Sequence, residues 1–78
     1  MQEYRITAVW DEEASVWTAS SDDVIGLCLE SESLDDLIKE AKVIIPELLS
    51  LNGQFLHEET ATIPFRITAE RAETIRNH

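Results

Sequence analysis

Nine carboxylates lie between Arg5 and Lys39 with no basic residue among them: Asp11, Glu12, Glu13, Asp22, Asp23, Glu30, Glu32, Asp35 and Asp36. Such a run admits three chemistries: chelation of a divalent metal, acid–base hydrolysis, or an acidic face for a basic partner. A metal needs oxygen ligands converging at about 2.0–2.6 Å. The stretch from Asp22 to Glu30 lacks the alternating acids of a calcium loop. Two-metal hydrolysis needs carboxylates held on rigid elements, whereas these acids fall in turns and at a helix start. No metal or catalytic residue is expected. A solvated acidic rim and a basic partner's docking face remain open.

Other reactive residues are sparse. Cys28 falls in a candidate strand and reads as a small buried hydrophobe. His57 follows Phe55-Leu56 in a loop, and His78 is the last residue. Nothing in their spacing brings either to Cys28, and two His with one Cys make no zinc motif. Gly26 and Gly53 stand alone, so no phosphate-cradling loop is present. No cofactor is expected. Sixteen acids against six bases leave a formal charge of −10, which disfavours nucleic acid and anionic membrane as direct partners. Trp10, Trp17 and Phe65 lack the positive groove of a stacking platform for single strands.

The elements that would position these residues follow from periodicity. Tyr4, Ile6, Ala8 and Trp10 share one face of a strand, with Arg5 and Thr7 on the other. The polar stretch 11–14 suits a hairpin into a second strand, Ser15 to Ser20. Ser21-Asp22-Asp23 reads as a loop, followed by Val24-Ile25-Gly26 and a short strand from Leu27 to Glu30. Ser33 reads as a helix N-cap, with Asp35 and Asp36 at the positive end of the helix dipole. Leu34, Leu37, Ile38, Ala41, Ile44, Ile45 and Leu48 then recur at spacings of three and four as an apolar stripe. Pro46 lacks an N–H and crowds the Lys42 carbonyl, so a kink or a second short helix is expected there. Asn52-Gly53 is the stop signal.

Phe55 and Leu56 are expected to tuck over the helix end. The last strand is read over 62–68, with Ile63, Phe65 and Ile67 inward. Pro64 places it at an edge or marks its start. The tail, 69–78, reads as a short helix or a frayed end.

The order is β-β-β-α-β, and the expected fold class is α+β: an antiparallel sheet with one amphipathic helix packed on one face. At 78 residues, 44% hydrophobic and 28% charged, the chain suits a single domain over residues 1–78. A domain of this size buries only about 60–65% of its unfolded surface, so association would help to stabilise it. The second sheet face stays open in a monomer. Val9 opposes the Tyr4 set, and either Val16 or Trp17 must point the same way. Val9 and Trp17 are the residues expected on a self-association surface, if the apolar side chains there form a patch. One cysteine, no apolar run near the roughly 20 residues of a membrane span and no basic-then-apolar start fit a cytoplasmic chain.

The segment Asp23-Val24-Ile25-Gly26, continuing through Leu27-Cys28-Leu29-Glu30-Ser31-Glu32-Ser33-Leu34-Asp35-Asp36-Leu37, resembles the signature of the HicB-type antitoxin domain. Asp23 and Gly26 match the family's Asp and Gly. Ser33 falls at its capping Thr and Leu34 at its Leu, without a gap. Asp22 and Ile25 stand where two prolines are usual, and Ser31 replaces a Gly. The resemblance spans most of residues 4–68 and is greatest to short HicB-like families of unassigned function. It implies a truncated, non-catalytic ribonuclease-H-like fold and a protein-binding role. The implied partner is a small basic RNA-cleaving protein, a HicA-type toxin. The family's C-terminal DNA-binding module is not expected here, since the sequence ends about ten residues past the last predicted strand. On this reading Asp22, Asp23, Glu32, Asp35 and Asp36 form the partner-binding face. The alternative is a stand-alone homo-oligomeric scaffold or small-ligand-binding domain.

Overall fold

The computed structural model describes residues 3–54 and 62–77. Its elements are β1 (Tyr4–Asp11), β2 (Val16–Ser20), β3 (Cys28–Ser31), α1 (Leu34–Leu51) and β4 (Phe65–Glu70). The expected α+β class and β-β-β-α-β order hold. The strands form one sheet in the order β3-β2-β1-β4. β1 and β2 are antiparallel, as are β2 and β3, but β4 runs parallel to β1. The sheet is therefore mixed rather than wholly antiparallel. The reason lies in α1, which carries the chain back to the end where β3 began. A strand that follows such a return runs in the direction of β3, and hence of β1.

Alternation sorts the side chains. Ile6 and Ala8 of β1 and Trp17 and Ala19 of β2 are buried on the helix-bearing face. Trp10 and Trp17 sit opposite each other in the register and meet edge to face, ring centroids 5.5 Å apart. Such a pair adds about 0.5–1.5 kcal/mol beyond the area it buries. From α1, Leu37, Ala41, Ile45 and Leu49 complete the core. Steps of four residues drift about 40° round the helix each time, so the buried stripe ends on Leu49 and leaves Leu48 half-buried. Val24 and Leu27, from the loop before β3, are also buried.

Ser33 caps α1 as expected, its hydroxyl accepting the Asp36 N–H at 3.1 Å. α1 runs through Pro46 without a break into a second helix. Packing of the apolar stripe outweighs the one missing N–H. At the far end Gly53 takes the left-handed conformation, φ 68°. The N–H of Gly53 then bonds the Ser50 carbonyl at 3.2 Å, and that of Gln54 the Leu49 carbonyl at 2.8 Å. This paired closure satisfies two carbonyls that the helix end would otherwise leave open.

β4 starts just after Pro64, whose carbonyl accepts the Tyr4 N–H at 3.0 Å. It lies at the sheet edge, with Ile63, Phe65 and Ile67 packed on the core. Residues 71–77 are exposed and form no helix. Among the described residues no helix is long and apolar enough to cross a membrane. The expected tuck of Phe55 and Leu56 lies outside the described residues, as do His57 and His78.

Candidate functional site

The β1–β2 turn spends two of its acids on its own shape. The Asp11 carboxylate accepts the N–H groups of Glu13 (3.1 Å) and Ala14 (3.3 Å), and the Asp11 carbonyl accepts that of Ser15 at 2.8 Å. Ser15 closes the turn at φ 57°, a conformation a small polar residue tolerates. The indole N–H of Trp10 donates to Glu12 at 3.0 Å. Glu13 projects outward.

The β2–β3 register puts Ser31 beside Trp17, at the same end of the sheet as this turn. Glu32 and the cap Ser33 leave from there, and Asp35 and Asp36 lie exposed in the first turn of α1. The fold thus gathers Glu12, Glu13, Glu32, Asp35 and Asp36 at one end. Lys39 borders this end one helical turn on from Asp35 and Asp36, and Arg71, just past β4, stacks 3.9 Å above the Trp10 ring centroid and pairs with Glu73.

Asp22 and Asp23 lie elsewhere. Their loop is tied to the C-terminal end of α1: Gln54 Nε2 donates to the Asp23 carbonyl at 2.7 Å, and Asn52 Nδ2 to the Ile25 carbonyl at 2.8 Å. The Ile25 N–H completes the clamp by donating to Gln54 Oε1 at 3.3 Å. A helix of eighteen residues separates the two groups of acids by roughly 27 Å. The five acids therefore do not form one continuous face. Asp23 is also half-buried and occupied, its carboxylate accepting the Arg5 N–H at 2.8 Å.

The expected self-association pair also divides. Trp17 is 9% exposed, in the core against Trp10, so Val16 is the residue that turns to the open face. Val9 is 46% exposed there. Its face-mates Arg5, Thr7, Thr18, Glu30, Arg66, Thr68 and Glu70 are polar, so no apolar patch forms. Cys28 is exposed rather than buried, because Leu27 and Leu29 turn to the core side and alternation sends Cys28 outward. Sequence reading missed Ser21, Asn52 and Gln54 as the residues that position the Asp22-Asp23 loop. The run Ser21-Asp22-Asp23 carried a local signal for Ser21, whose hydroxyl accepts the N–H groups of Asp23 and Val24 at 3.0 Å.

Among the described residues no three His, Cys, Asp or Glu side chains converge as a metal cage. A shallow groove of about 310 Å³ between α1 and β4 is lined by Ala41, Lys42, Ile45, Pro46, Ile63 and Phe65. It offers apolar surface and one ammonium, with no acid–base pair. The Glu3 carboxyl is held below its usual range, chiefly by its hydrogen bond from Arg66 at 2.7 Å, and Arg66 is raised by the same bond. Both lie far from the acidic end and staple the start of β1 to β4.

A mixed four-stranded sheet, one helix on one face and an acid-lined end define a small two-layer α+β protein. The chain belongs to the family described as Domain of unknown function (DUF1902), whose model matches residues 3–77. It is similar to the crystal structure of hypothetical protein TTHA1013 from the extremely thermophilic bacterium Thermus thermophilus. That likeness has 34% identity and a TM-score of 0.70, and covers 97% of this chain and 100% of that one. No curated protein matches the chain.

Proposed function

We propose that this chain is a non-catalytic protein-binding module of the HicB-antitoxin kind, which neutralises a small basic RNA-cleaving protein. The observation that carries the reading is the acidic end: Glu12, Glu13, Glu32, Asp35 and Asp36 lie together around the start of α1, on a chain of formal charge −10. A protein that cleaves RNA must present a basic surface to the phosphate backbone. An acidic, well-ordered surface covers such a face and accelerates encounter by steering. The Gly26-to-Leu34 stretch that resembles the HicB signature supports the reading. Gly26 adopts φ 85° and Ser33 caps the helix, so the shared residues hold the loop and helix start in place.

The experiment is RNA cleavage by a purified HicA-type toxin, with and without this chain, at low and moderate salt. Inhibition that weakens as salt rises, and is lost in E32Q/D35N/D36N, is expected. Undiminished cleavage in excess chain would overturn the proposal.

A further inference from the structure

β4 ends the sheet on one side, and its outer edge carries no strand among the described residues. The bond from the Tyr4 N–H to the Pro64 carbonyl sets the backbone phase of β4. Even-numbered residues turn their N–H and C=O toward β1. Odd-numbered ones, from Phe65 through Ala69 and on to Arg71, Glu73 and Ile75 if the alternation continues, turn theirs to the open edge. The odd side chains share the helix-bearing face, since Ile67 pairs with Ile6, Ala69 with Ala8, and Arg71 covers Trp10. β1 stops at Asp11, which the register would set opposite Ala72. Residues 73–77 therefore run past the hairpin with no strand of their own sheet beside them, and Ile75 is 91% exposed. An edge with open hydrogen bonds and a bare isoleucine is a template for another strand.

We propose that a second copy of this chain covers that edge, the two segments 68–76 pairing antiparallel about a two-fold axis at Ala72. Charge selects this register. Matching faces and matching hydrogen bonds require odd residues to meet odd residues, so the axis passes through a residue. An axis through Glu70, Arg71 or Glu73 sets that charge against its own copy. An axis through Ala72 sets Arg71 against the second copy's Glu73 and Glu73 against the second copy's Arg71. It also lays Ile75 beside the second copy's exposed Ala69 and sets Thr68 against the second copy's Arg76. Like charges directly opposite destabilise a strand pair and unlike charges stabilise it. Such an isologous contact closes and joins the two four-stranded sheets into one.

The test is sedimentation equilibrium on the purified full chain over a concentration series, with R71E and E73R alongside. Both positions lie beyond the β1–β4 ladder, so the circular dichroism of each variant stays native. Wild type is expected to dimerise. Each single variant faces itself with two like-charge pairs and should dimerise roughly tenfold more weakly or worse. An equimolar mixture of the two restores both opposite-charge pairs and should recover the wild-type affinity. A monomeric wild type, single variants that dimerise like wild type, or a mixture no tighter than either variant alone would overturn the proposal.

Cross-linking reads the same axis independently. In C28S/A72C the two thiols fall on a non-hydrogen-bonded pair with Cα atoms about 4.5 Å apart, within the reach of a disulfide. That variant should form a covalent dimer on mild oxidation, and C28S/V9C should not. The opposite pattern would place the contact on the open sheet face and overturn the proposal.

Discussion

The carboxylate of Asp23 accepts the backbone N–H of Arg5 at 2.8 Å, across eighteen residues of chain. The Arg5 carbonyl in turn accepts the Ser21 hydroxyl at 2.6 Å. β2 ends at Ser20, opposite Thr7 and two residues short of the place opposite Arg5. Two side chains thus take over where a strand backbone has run out, and the loop that follows is held against β1.

That arrangement assigns Asp23 a structural task. D23A should lower stability by about 1–2 kcal/mol in urea denaturation, because a charge-assisted bond to an N–H is lost. D23N keeps an acceptor in place and should lie within about 0.5 kcal/mol of wild type. Neither should slow association with a basic partner as much as changes at Asp35 and Asp36.

Gln54 clamps the same loop from the helix side, through the Asp23 carbonyl, the Ile25 N–H and Asn52 Nδ2. Q54A removes all three partners at once and should cost about 1–2 kcal/mol. Amide exchange at Ile25 should rise in the variant. Exchange unchanged from wild type would show that the clamp does not hold the loop.

Pro46 sits inside α1 and leaves the Lys42 carbonyl without its helical N–H. P46A restores that donor while giving up ring surface on the groove that Pro46 lines together with Ile63 and Phe65. The helix term is the larger, about 3 kcal/mol for proline in a helix interior. P46A should therefore raise stability by about 1–2 kcal/mol, several degrees in Tm for a domain of this size.

The Glu3–Arg66 pair carries a pH signature. The hydrogen bond from Arg66, with the charges of Arg66 and Arg5, lowers the Glu3 carboxyl below its ordinary value of 4.5. A carboxylate lowered in the folded state contributes stability above its unfolded value and loses it as pH falls through the folded one. E3Q should accordingly be less stable than wild type at neutral pH, by a small margin since both groups are exposed. The two chains should converge in acid. A gap between them that persists below the carboxylate range would exclude the linkage.

Much of this was legible in the residues themselves. Alternation from Tyr4 to Trp10, the cap at Ser33 and the stop at Asn52-Gly53 are local signals, and each appears where local physics puts it. The direction of β4 was implicit in α1, since a helix between two strands reverses the chain twice. The choice between Val16 and Trp17 was not local. It depends on hairpin register, which the left-handed Ser15 sets by closing the turn one residue before β2. The two groups of acids look continuous along the sequence because α1 separates their ends only in space. Side-chain clamps that span 18 or 31 residues leave no periodic trace at all.

The most direct measurement is affinity capture of the tagged chain from a lysate of its own cells at low and moderate salt, beside E32Q/D35N/D36N. The account predicts a small basic protein that wild type holds at low salt, releases as salt rises, and shares only weakly with the variant. That protein should cleave RNA when freed. Equal recovery by both chains, or no basic RNA-cleaving protein with either, would contradict it.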